Sequence, residues 1–263
     1  MMFLLSMIIL SMASCLDAFH NTHSNIIPPF THLPNNVKNK QTHRHQNLSS
    51  YHSSSSLLQM SLKPAAVPLL DSGKALARSG ELLIDLTSKL DLYGGGLSAC
   101  GANIRNAGDC VAQAAASCRF KTASELVCDE LREAATCLLE GKTKLEAALE
   151  EANADQNEYL FLVIQEAIPN IVQCGTNLEA AGASIMKREN VNIVGTYLVA
   201  AGTSMELLAQ SISSLAPDFN EASESCQRMI FAAERMRDAG NKLNTNGDQK
   251  SNSTNKGKAW IKG

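Results

Sequence analysis

Histidine is missing from residues 53–263. All six copies (His20, His23, His32, His43, His45 and His52) stand within the first 52 positions. The commonest general acid/base and the commonest nitrogen ligand for metals are therefore absent from most of the chain. Aromatic residues are scarce at 5%, with Trp260 the only tryptophan. No Gly-rich phosphate loop, no GxSxG elbow, no CxxC pair and no Glu-x-x-His motif occurs. These gaps remove the ordinary signatures of nucleotide binding, serine hydrolysis, structural zinc and di-metal carboxylate chemistry. No catalytic pair, metal site or cofactor is expected, and the chain reads as non-enzymatic. Downstream of residue 60 no run of about twenty apolar residues occurs, so that region is expected to be soluble rather than transmembrane.

Acidic residues are also absent from Phe19 to Leu70, where Lys38, Lys40, Arg44 and Lys63 stand among Ser, Thr, Asn and His. Before that segment, MMFLLSMIILSMA is an apolar run of signal-peptide length. The two segments predict a signal peptide over 1–18 and a transit-like or disordered region over 19–60. Together, and with Ala18-Phe19 in LDAFHN at the junction, they resemble the bipartite presequences of nucleus-encoded plastid proteins in algae with secondary red plastids. The resemblance implies a plastid location in the stroma or at the thylakoid; secretion with a disordered stalk is the alternative.

A small-residue pattern is present in excess. CGANIRNAG at 100–108 returns as CGTNLEAAG at 174–182, and Ser72-Gly73 and Ala201-Gly202 open related stretches. Gly73 and Gly80, Gly101 and Gly108, and Gly175 and Gly182 are seven residues apart, and Gly202 opens the fourth stretch. Glycine at n and n+7 with an apolar residue at n+3 marks a helical heptad seam. Mid-helix glycine costs roughly 0.8–1 kcal/mol relative to alanine. Close approach of two backbones along the seam is the expected compensation.

The repeats lie about 101 residues apart, and Ala66-Val67-Pro68 and Ala167-Ile168-Pro169 share the offset. They predict an all-α bundle of about six helices, built from two tandem three-helix repeats over 61–155 and 156–243. Helices are expected near 68–91, 96–118, 122–152, 169–187, 191–215 and 218–243. Thr122 and Glu125 form a capping-box signature, residues 156–167 an extra helical segment, and Pro169 suits a helix N1 position.

Seven cysteines (Cys100, Cys110, Cys118, Cys128, Cys137, Cys174 and Cys226) follow residue 60. They read either as small buried apolar residues or as thiols for redox control. Residues 61–240 carry 15 Lys/Arg against 24 Asp/Glu, a field that disfavours nucleic acid. The end of the chain reverses sign. Residues 244–263 are expected to be a disordered basic tail, in which Lys256, Lys258 and Lys262 flank Trp260. An aromatic anchor on a basic tail suits docking to a protein complex or an anionic membrane surface.

The sequence therefore points to a helical interaction or accessory subunit. A carrier of a small apolar ligand such as lipid or pigment, held along the Gly/Ala seams, is the second reading. A thiol-dependent redox protein is the third.

Overall fold

The computed structural model describes residues 62–90, 95–120 and 124–257, with side chains through Thr245. The expected signal and transit segments and Thr122 lie outside the described residues. Among those described, a short 3-10 turn (Lys63–Ala65) leads into six helices: α1 (Ala66–Leu90), α2 (Gly96–Ser117), α3 (Ser124–Ala154), α4 (Glu158–Met186), α5 (Val191–Leu215) and α6 (Asn220–Gly257). No strand occurs among them, and the fold is an all-α helical bundle.

Each helix packs on its neighbours in sequence, and α6 returns to pack on α1. The result is a closed ring of antiparallel helices. Its inner faces bury Leu69, Leu76, Leu83, Leu97, Ile104, Leu131, Leu138, Ile164, Ile171, Leu178 and Leu198 almost completely. Each such side chain contributes roughly 1.5–3 kcal/mol relative to exposure.

The turns are short because of their caps. At the end of α3, Gln156 takes a left-handed φ of 57°. There Asn157 N–H donates to Ala152 O (2.9 Å) and Gln156 N–H to Asn153 O (3.2 Å), the paired bonds of a Schellman motif. Asn157 then caps α4, accepting from Leu160 N. Arg188 (φ 56°) repeats the device after α4, with Glu189 N–H donating to Ser184 O, and Asn190 caps α5. Before α2, Gly95 sits at φ 137°, where only glycine is unstrained.

The ring closes through hydroxyls. Ser72 Oγ donates to Ala232 O at 2.8 Å. Ser79 Oγ lies 2.9 Å from both the carbonyl and the hydroxyl of Ser225, and Ser225 Oγ lies 2.9 Å from Ser79 O. All three serines are fully buried, and each hydroxyl has a partner. At the end of the seam, Lys89 pairs with Glu221.

Three expectations differ from the structure. First, Pro169 is not at a helix start: the segment expected over 156–167 and the helix expected from 169 form the single helix α4, with Pro169 inside it. Proline removes one backbone donor there, but Pro169 and Gln165 both face solvent, so water can satisfy the freed carbonyl. Second, α6 continues to Gly257 rather than ending near 243, so residues 244–257 are helical. No proline interrupts that stretch, and Gly247 alone is too weak a breaker to stop an established helix.

Third, the two sequence repeats do not occupy equivalent surroundings. Successive helices alternate in direction, so a shift of three helices lays an up helix on a down helix. No rotation of a closed ring does that while keeping the order of its members. Pro68 accordingly lies in the first turn of α1, whereas Pro169 lies mid-helix.

Candidate functional site

The glycines divide into two groups. Along α1 and α2, Gly73 faces Gly108 and Gly80 faces Gly101. A Cβ on Gly73 would lie 2.6 Å from Gly108 O, and one on Gly80 2.5 Å from Gly101 O. The opposing atoms are backbone, which cannot swing aside. Gly202 belongs to a similar contact between α5 and α6, 2.7 Å from Ala233 O by the same measure. Gly175 and Gly182, by contrast, turn toward α3. Their nearest neighbours include Ala135 O at 3.3 Å and Cys128 O at 3.0 Å, a looser fit.

Two members of the α5–α6 contact went unread in the sequence: Gly195 and Gly240, which face each other. The signal was present, since Gly195 precedes Gly202 by seven residues and Ala233 precedes Gly240 by seven.

Beside Gly175 and Gly182 a polar groove of about 360 Å³ opens, lined by Arg132, Glu133, Ala135, Leu139 and Glu179. An apolar gap at the ring's centre, lined by Leu83, Ile104, Leu145, Ile164 and Ile212, holds only about 10 Å³. Sites for small ligands usually offer about 300–1,000 Å³.

The cysteines are sheltered. Cys100, Cys118, Cys128, Cys137 and Cys174 are buried, while Cys110 and Cys226 are half-buried. Burial pushes the Cys100, Cys110, Cys118 and Cys174 thiols up to about 12. Cys110 and Cys137 face each other between α2 and α3, and burial raises both, with Glu133 adding to the effect. The thiolate is the reactive form, and these surroundings disfavour it.

On α3, Glu130 is raised by desolvation and by the like charges of Glu133 and Asp129. Lys142 pairs with Glu146 at 2.8 Å on its exposed face. No group of three potential metal ligands gathers among the described residues. The α5 helix is long and apolar enough to cross a membrane, but half of its apolar stretch is buried in the ring. Its one carboxylate, Glu206, pairs with Arg237 of α6.

A more open feature lies where α3 turns into α4. Ala152, Asn153, Gln156, Asn157, Glu158, Phe161 and Leu162 surround a groove of about 310 Å³. Leu162 is 61% exposed and neighbouring Tyr159 56%, and Tyr159 Oη donates to Ser214 O at 2.6 Å. Of the tail residues, Trp260, Lys258 and Lys262 lie outside the described residues; Lys256 falls in the last turn of α6.

No family model, curated protein or solved structure matches the chain.

Proposed function

We propose that the chain is a non-enzymatic interaction or accessory subunit of a plastid complex, with its C-terminal segment as the docking element. The observation that carries the reading is the length of α6. It has 38 residues, against 25 in each of the helices flanking it, α1 and α5. Gly195 near the start of α5 meets Gly240, and Asn244 packs at the same point. The roughly thirteen residues beyond Asn244 therefore outrun both neighbours by about 20 Å at 1.5 Å per residue. Such a helix ends clear of the ring, at a place that a protein complex or an anionic membrane surface could meet. The lysines supply attraction that salt screens over about 8–10 Å. Trp260 supplies the apolar contact.

The test expresses the full chain, or the chain ending at Asp248, in an alga with a secondary red plastid. An antibody to the bundle follows both proteins. Both are expected in the plastid fraction, with only the full chain co-sedimenting with a complex or thylakoid membrane. Recovery from the medium would remove the plastid reading, and equal co-sedimentation of the shortened chain would remove the tail. Truncation at residue 243 is unsuitable, because Asn244 packs against Gly195.

A further inference from the structure

At the end of the ring that carries the α3–α4 groove, Lys89 is already paired with Glu221, and Lys144 stands on α3 level with the start of α2. Between Leu145 and Gln227 the only cations are Lys187 and Arg188, and they sit in the α4–α5 turn at the other end. Glu158 lines the groove, and Glu150, Glu151 and Asp155, all exposed, stand within two residues of its lining in the chain. Apolar Ala152, Phe161 and Leu162 line it together with the amides of Asn153 and Gln156 and with Asn157, whose side chain caps α4. An apolar lining, polar amides and neighbouring carboxylates suit an indole followed and preceded by lysines. At about 310 Å³ the groove matches the lower range of small-ligand sites.

The chain itself holds one segment of that chemistry: Lys256, Lys258, Trp260 and Lys262. It cannot reach its own groove. The α6 helix starts at the groove's end of the ring and runs about 57 Å away from it, at 1.5 Å for each of 38 residues. The six residues after Gly257 span at most about 21 Å fully extended.

We propose that the C-terminal segment of one copy docks in the α3–α4 groove of a second copy, joining molecules head to tail. The contact is heterologous, so every assembly that does not close into a ring keeps a free tail at one end and a free groove at the other. The inference rests on the reading of the tail as a binding segment and names its seat.

Trp260 is the only tryptophan and reports its own burial. With the purified full chain, tryptophan emission is expected to shift to the blue and the sedimentation coefficient to rise with concentration, both reversed by salt. Trp260→Ala removes the anchor but keeps the groove. Leu162→Asp spoils the groove at an exposed position but keeps the tail, and Glu158→Lys serves as a second groove variant. Each variant alone is expected to self-associate at least tenfold more weakly. Mixing Trp260→Ala with Leu162→Asp restores one good junction, and the blue shift returns with it. Emission independent of concentration, association that survives in both groove variants, or a mixture that stays unshifted overturns the proposal. A blue shift that requires anionic vesicles overturns it in favour of a membrane surface. A full chain that does not self-associate yet still co-sediments removes the groove alone, whereas a full chain that does neither removes the tail.

Discussion

Gly108 and Gly175 have the same sequence setting, a small residue in a heptad, but opposite tolerance for a methyl group. A Cβ at Gly108 would press on the backbone of Ala77 and lie 2.6 Å from Gly73 O. Accommodating it means parting α1 from α2, and overpacking of this kind costs typically 1–3 kcal/mol. At Gly175 the nearest atoms stand at 3.3 Å, while alanine gains roughly 0.8–1 kcal/mol in helix propensity. Gly108→Ala is therefore expected to lower the urea midpoint clearly, and Gly175→Ala to leave stability within about 1 kcal/mol of the parent. A Gly108→Ala protein as stable as the parent would mean that the two backbones are not in contact. Heptad spacing made the glycines visible in the sequence. It could not say which neighbour each one meets, because that depends on rotation about the helix axis and on the order of helices around the ring.

At the scale of the helix, the sequence located most boundaries within a few residues, since apolar periodicity and the Gly94–Gly96 break are local. It misjudged the two helices whose limits are set by tertiary contact. The α4 helix passes through Pro169 because its two flanks are held on α3 and α5 while the proline faces water. The reversals at Gln156 and Arg188 were also hidden. Schellman turns usually advertise themselves with glycine, and here two long polar side chains take the left-handed conformation. The groove follows from one of those reversals. It was illegible for the same reason: its lining comes together only once α3 has turned back as α4.

For the molecule as a whole, the buried thiols set a limit on alkaline stability. Cys100, Cys110, Cys118 and Cys174 are raised from 9.0 to about 12 in the folded chain. Above about pH 9 the unfolded chain releases these protons while the folded chain keeps them. The stabilisation from neutral thiols is thus complete below pH 9 and lost as pH rises toward 12. Urea midpoints are expected to fall steeply over that window, and less steeply in Cys100→Ala/Cys174→Ala. An unchanged slope in the double variant would show that other groups govern the fall.

The serine-lined seam has a kinetic consequence. Five of the six helix contacts join neighbours in sequence, whereas the Ser72–Ala232 and Ser79–Ser225 bonds span 160 and 146 residues. Distant contacts are favoured only after the chain entropy of a long loop has been lost, so they form late. The helices should assemble as hairpins into an open arc, with α6 meeting α1 last. The same hydroxyl bonds should be the first to part, giving α1 and α6 the fastest native-state hydrogen exchange of the helix cores. Protection that is lowest in α3 and α4 would place the opening elsewhere. With the opening at the seam, sub-global unfolding bares one defined pair of surfaces, and a neighbouring open arc could exchange its terminal helix there.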